Sequence, residues 1–310
     1  MSVAPSDGAA RERSRAALVT CAALPDLDPD DRLLHAALTA RGVIVEAAVW
    51  DDAAVDWDRY DLVVLRSPWD YPARRGDFVS WAARVPRLAN PADVVAWNTD
   101  KRYLADLAGA GVPVVPTQWL EPGSTWSPPA EGEYVVKPTV GAGSVDAGRY
   151  DVADARQRAL ALAHLDRLHA DGRTAMLQPY LSAVDSAGET AVLCFPGPDG
   201  ALGVSHIVRK GPMLDGPDPG DADLYRSEDI TARTATAAEL AVARRTLAAI
   251  PGGAGRLLYA RVDLVPGADG KPVLMELELT EPSLFLGYAD GAAERLAAAV
   301  VARIGQPGVG

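Results

Sequence analysis

The feature that most constrains this 310-residue chain is a pair of strand-like segments near its C-terminal end, 257–265 and 273–279. They are joined by Pro266-Gly267-Ala268-Asp269-Gly270-Lys271-Pro272. Successive side chains of a strand point to opposite faces, so Tyr259, Arg261 and Asp263 share one face and Val262 and Leu264 the other. On the second segment Glu276 and Glu278 share a face, with Met275, Leu277 and Leu279 opposite. Such a hairpin fits either a half-solvated surface ribbon or a charged site. Glu281 follows closely, and Pro282-Ser283-Leu284-Phe285-Leu286 is too apolar for an exposed rim, which favours the site. Carboxylates gathered on one sheet repel one another unless a cation sits among them. Oxygen donors beside one arginine suit magnesium rather than zinc, and a magnesium cluster implies a polyphosphate ligand.

Composition narrows the classes. The chain carries 42 acidic against 30 basic residues, a net charge of −12, which leaves no electrostatic footprint for a nucleic acid. No apolar run reaches the ~18 residues needed to span a bilayer, and the first fifteen residues read as a ragged start rather than a signal peptide. A cytoplasmic protein is expected. Cys21 and Cys194 lie far apart inside apolar runs, the pattern of two buried thiols in a reducing compartment. Four of the 30 basic residues are lysines: Lys101, Lys137, Lys210 and Lys271. A lysine that persists in so arginine-rich a chain suggests a task for a compact point charge, such as binding a phosphate oxygen.

Along the chain, segments 16–21, 43–50 and 62–65 read as strands and 30–40 and 77–85 as helices, which predicts a small α/β unit with a parallel sheet. Ligands sit beyond the carboxyl ends of such strands, where Arg66-Ser67-Pro68-Trp69-Asp70-Tyr71 falls. From Asn98 the pattern changes. Asn98-Thr99-Asp100 offers cap candidates for a helix to about Leu107, followed by a strand at 134–137 and a helix at 153–168. Strands are expected at 175–178, 189–195 and 202–209, and helices at 237–249 and 289–304. Residues 211–229 are acidic, contain Gly and Pro, and read as a mobile loop. Three units follow: 1–97, 98–180 and 181–310.

The familiar phosphate cradles are absent: no lysine stands in P-loop spacing, and the third glycine position of a dinucleotide fingerprint holds Asp146. What remains is a strand running into a loop, Tyr134-Val135-Val136-Lys137-Pro138-Thr139-Val140-Gly141-Ala142-Gly143-Ser144. Its free N–H groups, hydroxyl and lysine can clasp a triphosphate, although most Gly-x-Gly loops are plain turns.

In this order the motifs resemble the ATP-grasp enzymes, an α/β fold with an N-terminal parallel-sheet domain and two grasping subdomains. The resemblance runs from about Asn98 to Phe285. It implies ATP with magnesium, two ions being expected, and assigns Lys101 and Lys137 to the nucleotide phosphates. Gly141, Gly143 and Ser144 correspond to the phosphate loop. Gln178, Pro179, Tyr180 and Leu181 correspond to the linker that reads adenine, with Glu189 after it. Asp263 and Glu276 correspond to the magnesium carboxylates and Arg261 to the catalytic arginine beside them. Glu278 stands where the family commonly has Asn, so it either binds metal or faces the amine substrate. Arg-Ser-x-Trp-Asp-Tyr and Glu-Leu-Glu-x-x-Glu-Pro-Ser-Leu-Phe are similar to the glutathione-synthetase-like branch. Within it the chain is similar to the bacterial natural-product ligases that include the cycloserine-forming O-ureidoserine cyclo-ligase.

The implied reaction joins a carboxylate to an amine through an acylphosphate, with release of ADP and phosphate. Substrate candidates are Arg66, Ser67 and Trp69, with Asp70 for an ammonium, against a surface ion pair flanked by aromatic anchors. Arg209 and Lys210 end a strand and either bind an anion or meet solvent. A phosphotransferase that stops at a stable phosphorylated product, a nucleotide-binding regulatory module and an amino-acid ligase of the glutathione-synthetase type share these motifs. The Ala-rich helices fit the chain's own core or a homodimer contact equally.

Overall fold

The computed structural model describes residues 13–220, 224 and 228–306; the first twelve residues of the expected ragged start and part of loop 211–229 lie outside them. The N-terminal unit is built from β1 (Arg15–Thr20), α1 (Pro29–Thr39), β2 (Ile44–Val49), β3 (Leu62–Ser67), α2 (Arg75–Ala82) and β4 (Leu88–Ala89). Their parallel sheet has the order β2-β1-β3-β4, with Ala16 facing both Val45 and Leu62. Every residue of β3 is buried, the mark of a parallel strand covered on both faces. One face carries an aromatic layer in which Phe78 stacks on Tyr71 and Trp81 and meets the edge of Trp50. The other shares a core with α1 and the C-terminal unit.

Next come α3 (Ala92–Asn98) and α4 (Tyr103–Gly109), then β5 (Gln118–Leu120), β6 (Glu133–Pro138), β7 (Gly148–Asp151), α5 (Ala155–Ala170) and β8 (Ala175–Pro179). The four strands form an antiparallel sheet of order β5-β8-β6-β7. Asp154 caps α5 by accepting from the Gln157 N–H at 2.8 Å, and Leu165 and Leu168 pack on Val136 and Leu177. The cap expectation at Asn98 is overturned: Asn98 ends α3, and Asp100 alone accepts a turn N–H, that of Arg102.

The sequence attached no role to His164, which is in fact buried in this layer and shares a 2.8 Å hydrogen bond with the Tyr150 hydroxyl. Burial, aided by Arg167, lowers its pKa to about 4. The folded state therefore excludes a proton that the unfolded chain takes up below about 6.5. Stability is expected to fall by up to about 3 kcal/mol as pH drops from 6.5 to 4, and His164→Phe removes that part of the slope. Denaturant midpoints of both proteins across this range check it; parallel profiles would contradict it.

The C-terminal unit comprises α6 (Val184–Ala187), β9 (Glu189–Pro196), β10 (Leu202–Lys210), β11 (Ile230–Ala232), α7 (Ala237–Ala248), β12 (Ala260–Pro266), β13 (Pro272–Glu278) and α8 (Ala292–Ile304). Its sheet is antiparallel, in the order β11-β10-β9-β12-β13. A capping box between Thr236 and Glu239 starts α7. One core joins β9, β10 and α8 to the N-terminal sheet, and a second joins α3 and α4 to β12, β13 and α7. Thus α4, placed by sequence at the head of the central unit, packs into the core of the last one. Both cysteines are buried and free. Among the described residues no helix is long and apolar enough to cross a membrane.

Candidate active site

The C-terminal hairpin pairs Arg261 with Glu278, an opposite-charge pair, and Asp263 with Glu276, a like-charge pair on the same face that needs cations beside it. Val262, Leu264 and Leu277 fill the core behind it. Arg261 is 4% exposed and Asp263 0%, so the half-solvated ribbon is ruled out. After Asp263 the register shifts, and Leu264 pairs with Leu274. This bulge turns Met275 out of the apolar face expected of it and into the cleft.

Cations of the chain stand among the carboxylates. Arg261 Nη2 lies 2.9 Å from Asp263 and also pairs with Glu278, while Nη1 donates to the Ser283 carbonyl at 3.0 Å. Lys210 Nζ lies 3.0 Å from Asp263, 3.2 Å from Glu189 and 3.4 Å from Glu228. Lys101 Nζ pairs with Glu276 at 3.0 Å and donates to the Gly141 carbonyl at 2.7 Å. Lys137 lines the same cleft and, among the described residues, makes no side-chain hydrogen bond or ion pair. Three of the chain's four lysines thus meet in one cleft; the fourth, Lys271, is exposed beside Asp269.

These neighbours set the protonation states. Burial raises the Asp263 carboxyl, but Arg261 and Lys210 prevail and hold it below the ordinary carboxylate value. Burial, with Glu276 and Asp263 adding to it and Arg261 opposing, pushes Glu278 up to about 8. Glu281 is raised to about 7, chiefly by burial. Lys137 is lowered by burial and by the nearby lysines Lys101 and Lys210, against the pull of Glu276.

The glycine-rich loop lies across this group. Gly143, Ser144 and Asp146 all have positive φ, which turns the backbone tightly after β6. Gly141, Gly143 and Ser144 line the cleft, and the Lys101 N–H donates to the Thr139 carbonyl at 2.8 Å, locking loop to lysine. Gln178, Pro179, Tyr180, Leu181 and Glu189 line it as well. Arg149 lies 3.6 Å over the Tyr180 ring, and the Tyr180 N–H donates to the Glu133 carbonyl. The described part of loop 211–229 is seated rather than patternless. The Gly216 carbonyl accepts from the Arg149 N–H, Asp218 pairs with Arg167, and Met213 and Leu214 reach the cleft. A Cβ at Gly148 would stand 2.5 Å from the Asp218 nitrogen, so this seat requires glycine there.

Several substrate candidates are not brought here. Arg66 is 0% exposed: its Nε donates to Asp31 at 2.8 Å and its Nη2 to the Pro282 carbonyl at 2.7 Å. It is a buried brace, and its guanidinium has no face left for a substrate carboxylate. Ser67 donates to Thr20 inside the core. Asp70 accepts from Trp50 Nε1 and pairs with Arg74 outside the cleft, which withdraws it from the ammonium role. Arg209 donates to the Ala187 carbonyl, also outside. Trp69 and Lys210 do line the cleft, and Lys210 serves the carboxylates there. Sequence reading missed Tyr71, Met213, Glu228 and the amide of Asn98, which grips β13 by donating to the Leu277 carbonyl and accepting from the Leu279 N–H.

The donor set suits magnesium. Among the described residues no three carboxylates converge at metal-binding spacing, and Asp263 is walled off by Arg261 and Lys210. Magnesium needs no such cage, since it takes one or two carboxylates and completes its shell with waters and phosphate oxygens. Glu276 and Glu278 line the cleft, and the raised Glu278 marks negative charge that a cation would relieve.

A glycine-rich loop and paired lysines facing a carboxylate hairpin across a cleft between two antiparallel sheets define an ATP-grasp ligase. Residues 16–90 match the family described as D-cycloserine synthetase DcsG, N-terminal domain. Over 306 residues the chain is 41% identical to the cycloserine biosynthesis protein DcsG of Streptomyces lavendulae, across 93% of this chain and 98% of that protein. The chain belongs to the DcsG family. The crystal structure of D-cycloserine synthetase DcsG matches with a TM-score of 0.80 at 39% identity, over 94% of this chain and all of that one. A RimK domain ATP-grasp protein from Sphaerobacter thermophilus shares the fold, with a TM-score of 0.63 at 18% identity over 92% and 98% of the chains.

Proposed function

We propose that the chain uses ATP to activate the carboxylate of an amino acid or a derivative. The carboxylate oxygen attacks the γ-phosphorus, ADP leaves, and an amine nitrogen then displaces phosphate from the acylphosphate to form an amide. The observation that carries this reading is Lys137, a cleft cation with no carboxylate of its own. It is matched to an anion that arrives from solution. Lys101 and Lys137 hold phosphate oxygens, and Arg261 faces the transferring phosphoryl and the oxyanion that follows. Little covalent work falls to such a site, so positioning and charge neutralisation carry the catalysis. Magnesium would be held by Glu276 and Glu278, with two ions as the proposed number, and when bound supplies charge neutralisation at the phosphates. Loop 211–229 excludes water from the acylphosphate. Kinship with a cycloserine biosynthesis protein supports an amino-acid derivative whose own nitrogen closes a ring. Units 1–97, 98–180 and 181–310 are the proposed functional division, the first supplying the substrate side.

The test is nucleotide turnover with magnesium, hydroxylamine and a panel of amino acids, ureido and aminooxy derivatives included. ADP with a hydroxamate is the expected result. AMP and pyrophosphate would mean adenylation, and ADP without hydroxamate a phosphotransferase; either overturns the acylphosphate.

A further inference from the structure

Beyond β13 the chain leaves the sheet, yet five consecutive carbonyls are each gripped by a side chain. Thr280 O accepts from the Tyr259 hydroxyl at 2.9 Å, Glu281 O from Trp69 Nε1 at 3.0 Å and Pro282 O from Arg66 Nη2 at 2.7 Å. Ser283 O accepts from Arg261 Nη1 at 3.0 Å and Leu284 O from His206 Nε2 at 2.9 Å. Without a strand partner this backbone would be free to move; with five donors, three from strands and two from the segments beside them, it is fixed. Its one ionisable side chain, Glu281, lines the cleft. Trp69 and Tyr71, both from the N-terminal unit, line the wall beside it, and the Tyr71 hydroxyl acts to lower the carboxyl against its burial.

The charges of the cleft can be paired off. Glu276 goes with Lys101, Glu278 with Arg261, and Glu189 and Glu228 with Lys210. Among the described residues two lining charges are left without an ion pair, Lys137 and Glu281. The spare cation suits the nucleotide. The spare carboxylate, on a rigid ledge beside two aromatic rings, suits a small organic cation, because an ammonium is attracted by carboxylate and ring face alike.

We propose that Glu281 anchors the ammonium group of the amino-acid substrate, with Trp69 and Tyr71 forming the wall of that subsite. This rests on the ligase reading and takes over the ammonium-binding role expected of Asp70. The ledge explains why Arg66, Trp69 and His206 are spent on backbone carbonyls: they position one carboxylate.

The experiment compares an amino acid that supports ADP release with its 2-hydroxy analogue, which keeps the carboxylate and replaces the ammonium. The wild type is expected to prefer the amino acid in kcat/KM by at least about 10²-fold, as a site built for a charged donor does. In Glu281→Gln the preference is expected to fall below about tenfold, with KM for ATP unchanged. Glu281→Asp, which keeps the charge, is expected to restore most of it. If Glu281→Gln fails to fold, Tyr71→Phe supplies the readout through a smaller drop in the same ratio. An unchanged ratio in these variants overturns the assignment, as does a raised magnesium requirement in place of the lost preference. Absence of ADP release from every amino acid in the wild type would instead overturn the ligase reading, and the subsite with it.

Discussion

Lys137→Met is expected to slow ADP formation by on the order of 10²–10³ while leaving the protein at least as stable as the wild type. The two effects share one cause. Lys137 is a cleft cation that the fold does not neutralise, and burial lowers its pKa, so without a ligand its charge costs the folded state free energy. The sign follows from linkage. A depressed lysine pKa penalises folding wherever the unfolded chain is protonated, and the penalty fades as pH rises toward the unfolded value near 10.4. Methionine has similar reach and no charge, which removes the penalty. At neutral pH the variant should therefore melt at or above the wild-type temperature. What it loses is the anion. Wild-type protein gains thermal stability from Mg-ATP by mass action, and the variant should show little of that shift. Melting curves with and without nucleotide, beside an ADP assay, check both halves. A variant that is both less stable and still active within about tenfold would contradict the assignment.

Much of the fold was legible because the relevant patterns are local. Apolar runs and helical spacing marked β1, β3, α5, β9, β12 and α8 within a few residues. The short elements escaped. β4 has two residues, β5 and β11 three each, and their pairing is decided by neighbours distant in sequence. Asn98 shows why local signals mislead. Asn-Thr-Asp before an apolar stretch has the chemistry of a helix start, yet the same amide can satisfy a strand, and here β13 runs alongside it.

The site divides along the same line. The residues proposed for the nucleotide could be grouped from sequence because they stand in contiguous motifs, Lys137 to Ser144, Gln178 to Leu181 and the hairpin, and the fold does bring them to one cleft. The scarcity of lysine pointed to three residues that do meet. Among the substrate candidates Trp69 and Lys210 do reach the cleft, while Arg66, Ser67, Asp70 and Arg209 are turned to other partners, an outcome that depends on burial and pairing. Arg66 lies at a strand end, where a ligand-binding arginine belongs, but the sequence does not reveal that Asp31 and the Pro282 carbonyl close over it. Glu281 had a signal, an acidic residue inside an otherwise apolar tail. It looked like one more member of the metal group until the pairing of every other carboxylate set it apart.

Arg261 offers the sharpest joint test of stability and chemistry. Its guanidinium meets Asp263, Glu278 and the Ser283 carbonyl, so Arg261→Met leaves two carboxylates and a carbonyl partly unsatisfied. Breaking a buried pair by removing one partner costs about 3–5 kcal/mol. An arginine lost from the transferring phosphoryl costs on the order of 10³–10⁵ in rate. The stability loss should depend on pH. With the arginine gone, Asp263 loses one of the two cations that hold it down, and Glu278, already raised in the wild type, is raised further. A raised carboxyl pKa gives stability that is full below the unfolded value and lost as pH rises through the folded one. The gap between wild type and variant is thus expected to be smallest near pH 5 and to widen toward pH 9, as read from denaturant midpoints. Arg261→Lys separates the two roles. An ammonium keeps the charge and most of the stability, but as a single point it does not span Asp263, Glu278 and Ser283 as the planar fork does. It is expected to fold with a modest loss and still to lose at least about 10² in rate. A pH-independent gap would mean that Arg261 acts through packing rather than charge, and an active Arg261→Lys that position, not the fork, suffices.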